Sequence, residues 1–338
     1  MMKKILFLEM KEQWEREYLL ENFKEEGNLF FDEAQFQDLK NSLQDVTVLS
    51  VFINSRVTRP DFEKLPRLRF ITTRSTGFDH IDIAAAKERN IRVSNVPTYG
   101  ENTVAEHTFA LILSLSRNLR KAYFKTRDGD FSLKGLMGFD LKGKTLGIVG
   151  TGHIGLHMIH MARGFGLKVL AYDVKKNHFL SEVLGFSYVP FEELLAQSDI
   201  ISLHVPLFPA THHLINSKNI FKIKRGAILI NTARGGLVET SGLVKALDEG
   251  ILSGAGLDVL EGEELILEEK RLLETAENKE AWERLQITLK NHILLQRDNV
   301  IYTPHVAFYS REAVTRILDT TLDNVRAYLA GNPENVVN

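Results

Sequence analysis

The sequence contains no cysteine, which excludes disulfide bonds, thiolate metal sites and a cysteine nucleophile. It also lacks an apolar run long enough to cross a bilayer, and the short run near the N-terminus is interrupted by Glu9 and Lys11. That run therefore predicts a first β-strand rather than a signal peptide. An excess of positive charge is missing as well, since 42 Lys and Arg residues face 44 Asp and Glu residues. These absences argue against nucleic-acid and membrane partners, and we expect a cytoplasmic protein.

The length of 338 residues exceeds what one hydrophobic core ordinarily supports, so two domains are expected. Strand-like apolar runs alternate with helix-like segments along most of the chain, which is typical of parallel α/β sheets. Residues 1–99 show this alternation without a glycine motif, which favours a flavodoxin-like sheet, whereas residues 100–299 predict a six-stranded sheet. We assign residues 1–99 together with 300–338 to one domain, which ends in a helix over 311–329, and residues 100–299 to the other.

Two segments depart from this alternation. A long helix with an apolar face is predicted from about Asn102 to Lys125, and a loop-rich arm follows it from Asp128 to Lys144. Residues 262–298 are charged and helical, and we interpret them as an insertion lying on the surface. The candidate packing residues of this insertion are Leu265, Leu272, Leu273, Trp282 and Leu285.

A glycine-rich turn lies between an apolar strand and a helix in the second domain. It contains Gly150, Gly152 and Gly155, and a second apolar strand ends on Asp173, 18 residues after Gly155. The first glycine permits a tight turn, the second lets a pyrophosphate approach the backbone, and the third lets helix and strand pack closely. The N–H groups at the helix start then face the phosphates, and Asp173 accepts hydrogen bonds from a ribose. The pattern predicts a dinucleotide site, and a purely structural turn is the alternative.

Polar side chains mark three further strand ends, and ligands of doubly wound sheets bind where strands end. Arg234 precedes two glycines, so its planar fork suits a carboxylate, although an interdomain salt bridge would also explain it. Asp258, Glu261 and Glu263 follow the next strand, either as functional acids or as a solvated acidic turn. His305 follows a proline among aromatic residues, a setting in which structural histidines are common. Residue chemistry alone leaves these alternatives open.

These motifs, in this order, resemble the D-2-hydroxyacid dehydrogenase family. The resemblance covers nearly the whole chain and includes the segments 104–107 and 202–206. Within the family, Phe52 and the segments 74–79 and 307–309 are most similar to the D-lactate dehydrogenase branch. The resemblance implies two doubly wound parallel-sheet domains, a flavodoxin-like substrate domain and a Rossmann NAD-binding domain, with a cleft between them.

The resemblance also implies a role for each residue at the strand ends. Arg234 would clamp the carboxylate of a 2-oxo or 2-hydroxy acid, and His305 would be the acid/base. Glu263 would hydrogen-bond His305 and stabilise its protonated form, but Glu261 remains an alternative partner because 42 residues separate Glu263 from His305. The residues implied to contact the substrate, through backbone N–H groups or as aromatic walls, are Phe52, Thr76, Gly77, Phe308 and Tyr309.

NAD is the implied cofactor, and no metal is expected, although His153, His157 and His160 mimic metal-ligand spacing on one helix. The carboxylate of Asp173 favours NADH over NADPH, because it would repel a 2′-phosphate. The residues implied to contact NAD are Gly150, Gly152, His153, Ile154, Gly155, Asp173, Val205, Pro206, Thr211, Thr232, Ala233, Arg234 and Asp258.

The activity implied by the resemblance is the interconversion of pyruvate and D-lactate. An oxidoreductase for hydroxypyruvate, glyoxylate or phosphoglycerate is the alternative within the family, and a non-enzymatic NAD(H)-sensing protein is the alternative outside enzymes. A phosphorylated substrate would need basic residues, of which Arg74 is the only obvious one. We also expect a homodimer through the 102–125 helix and the following arm, because that helix carries more apolar surface than one domain edge buries.

Overall fold

The computed structural model describes residues 3–23, 28–39, 43–263 and 279–338. The chain divides into two compact units, Met1–Gly100 with Tyr309–Asn338, and Glu101–Phe308. Each unit is built on a parallel sheet, which confirms the expected fold class. The boundary differs from the expected one, because residues 300–308 belong to the second unit, where the strand Val300–Tyr302 pairs with the sheet.

Within its described residues, the first unit has a sheet of five parallel strands in the order β2-β1-β3-β4-β5, which is the flavodoxin-like order. The strands β3 and β4 are almost entirely buried, as expected for strands covered on both faces. The last helix spans the predicted residues and buries Ile317, Leu318 and Leu322 at helical spacing. The elements of this unit are β1 (Lys4–Phe7), α1 (Gln13–Asn22), β2 (Asn28–Phe31), β3 (Val46–Val51), β4 (Phe70–Thr73), α2 (Ile83–Glu88), β5 (Arg92–Ser94) and α10 (Arg311–Leu329).

In the second unit, the described residues form a sheet of seven parallel strands in the order β12-β11-β10-β9-β6-β7-β8. Its strands are β6 (Thr145–Val149), β7 (Lys168–Tyr172), β8 (Ser187–Tyr188), β9 (Ile200–Leu203), β10 (Ala227–Asn231), β11 (Leu252–Leu257) and β12 (Val300–Tyr302). Its helices are α3 (Glu101–Ser116), α4 (Leu119–Arg127), α5 (His153–Gly164), α6 (His178–Leu184), α7 (Phe191–Gln197), α8 (Thr240–Asp248) and α9 (Lys279–Leu295). The sequence predicts six strands for this sheet, and the seventh is β12, which pairs with β11 at one edge. The strand order reverses at β6, and a ligand of such a sheet binds at this switch point.

The prediction of a single helix over 102–125 is wrong, because α3 and α4 are separate helices. Asn118 lies between them with a φ of 50°, a left-handed conformation that interrupts a right-handed helix. The apolar face of α3 is buried within its own unit, where Phe109, Leu111 and Ile112 join the core. The exposed apolar side chains lie instead on α4 and the arm after it, and include Leu119, Tyr123, Phe131, Leu133 and Met137.

The insertion expected over 262–298 is not confined to the surface. Helix α9 buries Thr288, Asn291 and Leu294, and Leu294 belongs to the apolar core of the second unit. Trp282 is exposed, whereas Leu265, Leu272 and Leu273 lie outside the described residues. Across the described ranges, no helix is both long enough and apolar enough to span a membrane.

Candidate active site

The glycine turn after β6 has the geometry that the sequence predicts. Gly150 has a φ of 99°, and a Cβ there would lie 2.5 Å from the carbonyl oxygen of His204, so the turn requires glycine. A Cβ on Gly155 would lie 2.1 Å from the carbonyl oxygen of Gly150, which explains the third glycine. A Cβ on Gly152 would meet nothing within 4 Å. Gly152 caps α5 beside this open space, so a diphosphate could approach the helix N-terminus there.

Asp173 joins the end of β7 to the glycine turn. Its Oδ2 accepts hydrogen bonds from the N–H and the hydroxyl of Thr151, at 2.7 and 2.9 Å, and its Oδ1 accepts from Lys175 N–H at 2.8 Å. Burial alone would raise the pKa of the Asp173 carboxyl, but these hydrogen bonds outweigh it and lower the pKa below its ordinary value. The group is therefore an anion near neutral pH, as the predicted ribose contact requires.

The other residues expected near the cofactor lie on α5 and in the loops after β9 and β10. The Thr211 hydroxyl donates to Pro206 O at 2.7 Å and accepts from Phe208 N–H at 2.8 Å, which closes the loop after β9. The Thr232 hydroxyl is 2.9 Å from that of Thr108, which donates to Val104 O. His153 begins α5 and lies 3.4 Å from the Glu101 carboxylate. Remaining members of the expected set are Ile154 on α5, Val205 after β9, and Ala233, whose N–H donates to Asn231 Oδ1 at 3.1 Å.

His305 and Glu263 form a hydrogen-bonded pair in the second unit. The Nδ1 atom of His305 lies 2.9 Å from Glu263 Oε1, and both side chains are partly buried, with 29% and 28% exposed. The second carboxylate oxygen of Glu263 accepts the N–H of Leu260 at 3.0 Å, which orients it. His305 has a φ of 55°, and its N–H donates to the carbonyl oxygen of Asp258 at 2.9 Å. Among the described residues, nothing hydrogen-bonds Nε2, so that nitrogen is the one available to a substrate.

Glu261, the alternative partner, points to a different set of groups. Its Oε1 lies 2.5 Å from His213 Nε2, and its Oε2 accepts from the N–H and hydroxyl of Thr240 at 3.0 and 2.8 Å. The contact of His305 is therefore with Glu263. The sequence reasoning missed Asn291 of α9, whose amide is fully buried and donates to Glu261 O at 2.9 Å. No sequence motif marks Asn291, because in the sequence it is indistinguishable from the other polar residues of an amphipathic helix.

Asp258 organises the loop that carries His305. It is only 1% exposed, and its carboxylate accepts from the Thr303 hydroxyl at 2.5 Å and from the N–H groups of Val306 and Ala307 at 2.9 Å each. Because the Thr303 hydroxyl donates to Asp258, it accepts from His107 Nε2, 2.9 Å away on α3. This chain of bonds was not foreseen, although His107 lies within a segment that matches the family.

Arg234 lies in a turn that packs against the acidic turn. Asn231 holds the turn, since its amide donates to Arg234 O at 2.8 Å. A Cβ on Gly235 would lie 2.0 Å from Leu260 O and 2.5 Å from Glu261 N, so this glycine permits contact between the two turns. The guanidinium donates to Ala233 O at 2.8 Å and has no ion-pair partner among the described residues. It can therefore receive a carboxylate, and no salt bridge within the described residues accounts for it.

The first unit carries its own group of expected residues after β3 and β4. Phe52 N–H donates to Glu9 Oε1 at 3.0 Å, and the Thr76 hydroxyl donates to Val96 O at 2.8 Å. Among the described residues, no acceptor faces the backbone N–H groups of Thr76 and Gly77. Tyr309 is exposed in this unit, whereas Phe308 is buried at the end of the second unit.

Arg74 does not offer a charge to a phosphate. Its side chain is 3% exposed, and its guanidinium donates to Ser50 Oγ at 2.9 Å and to Leu8 O. Burial lowers its pKa from the ordinary value, and the carboxylates of Glu9 and Glu15 oppose that shift. The obvious basic residue for a phosphorylated substrate is thus committed to the interior of the first unit.

Residues 109–307 match the protein-family model for the NAD-binding domain of D-isomer specific 2-hydroxyacid dehydrogenases. The chain belongs to that family. D-Lactate dehydrogenase of Escherichia coli is 35% identical over 298 residues, covering 88% of this chain and 87% of the relative. Glyoxylate reductase of Korarchaeum cryptofilum is 35% identical over 301 residues, covering 88% and 84%. The structure of Aquifex aeolicus D-lactate dehydrogenase, complexed with NAD and lactic acid, has a TM-score of 0.84 at 38% identity and covers 97% of this chain and 96% of that one.

Membership confirms an NAD-dependent 2-hydroxyacid dehydrogenase, with NAD as its cofactor. The glycine turn, its open space at Gly152 and the anionic Asp173 fit that cofactor. The relatives include both D-lactate dehydrogenase and glyoxylate reductase, so membership alone does not select the 2-oxo acid.

Proposed function

We propose that this dehydrogenase interconverts pyruvate and D-lactate. The observation that carries the proposal is the His305–Glu263 pair, 2.9 Å apart, in a turn that packs against the turn of Arg234. Reduction of a 2-oxo acid requires a proton donor and a cation that binds the carboxylate. Within the described residues, His305 Nε2 has no hydrogen-bond partner and the Arg234 guanidinium has no ion-pair partner, so both groups can serve a substrate. The His305–Glu263 pair also favours an enzyme over an NAD(H)-sensing protein, because a sensor would need no proton donor.

His305 gives its Nε2 proton to the carbonyl oxygen of pyruvate during reduction, and takes a proton from the hydroxyl of D-lactate in the reverse direction. Bound NAD supplies the hydride donor or acceptor. Glu263 stabilises the imidazolium and fixes the ring through Nδ1, so that Nε2 is the exchanging atom. Arg234 binds the carboxylate of the substrate through two parallel N–H groups, which fixes the orientation of the carbonyl.

The remaining substrate contacts in this proposal are backbone N–H groups and aromatic side chains. The N–H groups of Thr76 and Gly77 bind the substrate carboxylate, and their lack of protein acceptors among the described residues supports this assignment. Phe52, Phe308 and Tyr309 surround the C3 methyl group. An aromatic wall excludes water and favours a small apolar substituent.

The geometry of the glycine turn supports the proposed contacts with the diphosphate. Gly150, Gly152, His153, Ile154 and Gly155 hold the diphosphate at the N-terminus of α5, and Asp173 binds the adenosine ribose. Val205, Pro206 and Thr211 lie near the adenosine, and Thr232, Ala233, Arg234 and Asp258 near the nicotinamide. Asp258 thereby links the cofactor side of the site to the His305 loop, which its carboxylate holds.

A panel of 2-oxo acids with NADH, followed by absorbance of the reduced nicotinamide, tests the substrate assignment. We expect pyruvate to give the highest kcat/KM. Glyoxylate is the competitor that the archaeal relative suggests, and a higher kcat/KM for glyoxylate would transfer the assignment to it. Phosphorylated 2-oxo acids should be poor substrates, because Arg74 is buried and occupied.

We also propose a homodimer formed through α4 and the following arm. Exposed Tyr123, Phe131, Leu133 and Met137 concentrate there, and contiguous exposed apolar side chains are typical of interaction surfaces. The support comes from these residues and not from α3, whose apolar face is buried in its own unit.

A further inference from the structure

Three side chains with metal-binding atoms meet on the second unit, apart from the His305 pair. They are His212, His213 and Glu261, and one ligand atom from each lies within 4.8 Å of the other two. His213 Nε2 is 2.5 Å from Glu261 Oε1, and the two imidazole rings are 3.9 Å apart between centroids. His212 is exposed and the other two side chains are partly buried, so the cluster is open to solvent on one side.

The backbone at His213 places the two imidazoles together. Side chains of consecutive residues in extended chain point to opposite sides. His213 instead has a φ of 51°, a left-handed conformation that few residues other than glycine adopt. Its N–H donates to Gly236 O, and Asn216 donates to its carbonyl oxygen, each at 2.8 Å. These bonds hold both rings on the same side, towards Glu261.

The carboxylate of Glu261 is oriented as a single-oxygen ligand. Its Oε2 is occupied by the N–H and hydroxyl of Thr240, so Oε1 alone faces the imidazoles. Such outer hydrogen bonds to ligating carboxylates are characteristic of metal sites, where they fix the ligand atom. The carboxylate of Glu239 also interacts with His213 and adds negative potential nearby.

We propose that His212, His213 and Glu261 bind a divalent transition-metal ion of the zinc class. Two imidazole nitrogens and one carboxylate oxygen are ligands that zinc accepts, with a fourth position left for water. The ion replaces the proton shared between His213 and Glu261, and shifts of about an ångström bring the three atoms to ligand distances.

The site lies against the candidate active site. Glu261 precedes Glu263 by two residues, and its backbone packs against Gly235, next to Arg234. An ion bound here therefore ties the loop after β9 to the turn that carries the acid of the His305 pair. Ion binding itself does not depend on the proposed substrate, and it is measured without any turnover.

Titration calorimetry with Zn²⁺ on the chelator-treated full chain measures affinity and stoichiometry, and visible absorption with Co²⁺ reports ligand geometry. We expect one ion per chain and a tetrahedral cobalt spectrum. Thr240→Val, which removes one outer hydrogen bond, should weaken binding about 10–100-fold. His212→Ala, an exposed position that the fold does not need, and Glu261→Gln should weaken it further.

The matched control is the double variant His157→Ala with His160→Ala, which removes two exposed histidines spaced one turn apart on α5. It should bind zinc as the unaltered chain does. Fluorescence titration with NADH confirms that every variant is folded, independently of the ion. The proposal is overturned if no saturable binding is found, if His212→Ala and Glu261→Gln both bind zinc normally, or if only the control variant loses binding. Failure of pyruvate reduction would leave all of these outcomes unchanged.

Discussion

Replacing Glu263 by glutamine isolates the effect of its charge on His305. The substitution keeps the shape and a hydrogen bond to Nδ1, which is 2.9 Å from Oε1, but removes the negative charge. Reduction of pyruvate needs protonated His305. Without the carboxylate, the positively charged ring loses an ion-pair partner 2.9 Å away. The kcat/KM for pyruvate should therefore fall.

The size of this loss follows from the hydrogen bond. A bond to a charged partner contributes about 1.5–3 kcal/mol and a neutral one about 1 kcal/mol, a difference of about 0.5–2 kcal/mol. Solvent screens part of that difference, since both side chains are more than a quarter exposed, which leaves about 1 kcal/mol or less. Because about 1.4 kcal/mol corresponds to a tenfold change in rate, kcat/KM should fall by about fivefold or less.

The assay is an initial-rate measurement of kcat/KM for pyruvate with NADH, at one pH, for the unaltered enzyme and Glu263→Gln. Glu261→Gln is the control, because that carboxylate bonds His213 and Thr240 and does not contact His305. The control should lower kcat/KM less than Glu263→Gln does. A kcat/KM that is unchanged in Glu263→Gln, or that falls only in Glu261→Gln, would refute the assignment of Glu263.

Four further predictions follow from the site. NADH should give a higher kcat/KM than NADPH, and Asp173→Asn should reduce the ratio; equal values for the unaltered enzyme would contradict the role of Asp173. Arg234→Lys should raise KM for pyruvate and lower kcat in initial-rate measurements, because a point charge does not replace a bidentate fork; an unchanged KM would remove Arg234 from the carboxylate site. Phe52→Ala should shift preference towards bulkier acids such as phenylpyruvate, and a fixed ratio of kcat/KM values would place Phe52 outside the pocket. Light scattering should give about twice the chain mass of 38.4 kDa, and a single-chain mass for the unaltered protein would argue against the dimer. Tyr123→Glu on α4 should lower the measured mass, whereas Phe179→Glu, at a similarly exposed position on α6, should leave it unchanged.

The glycine turn and the strand ends were predictable because each needs a particular residue type at a particular place. Gly150 adopts a backbone conformation that side chains disfavour, and Gly155 and Gly235 meet neighbouring backbone. Arg234 and Asp258 follow strands whose apolar runs are plain in the sequence. Local chemistry therefore marks these positions without knowledge of the packing.

Other features depend on contacts between distant residues and could not be read locally. Strand β2 is a four-residue edge strand with half of its residues exposed, so it lacks a strong apolar pattern. The helix break rests on the left-handed conformation of Asn118, within a stretch whose apolar spacing continues. The partner of His305 was undecided between two acids, because only tertiary packing turns Glu261 towards His213 and Thr240.

The hydrogen bonds of Asp258 also restrict which substitutions this position tolerates during evolution. Both of its oxygens face donors, namely the Thr303 hydroxyl, Val306 N–H and Ala307 N–H. Asparagine, though equal in size, would turn an amide N–H₂ towards one of these donors, in a place with almost no access for water. A change from aspartate to asparagine is mild at most positions of a protein. At Asp258 it would break hydrogen bonds to the backbone next to His305, which has a left-handed conformation. A lineage could therefore diversify the substrate pocket widely and still retain a carboxylate at the end of β11.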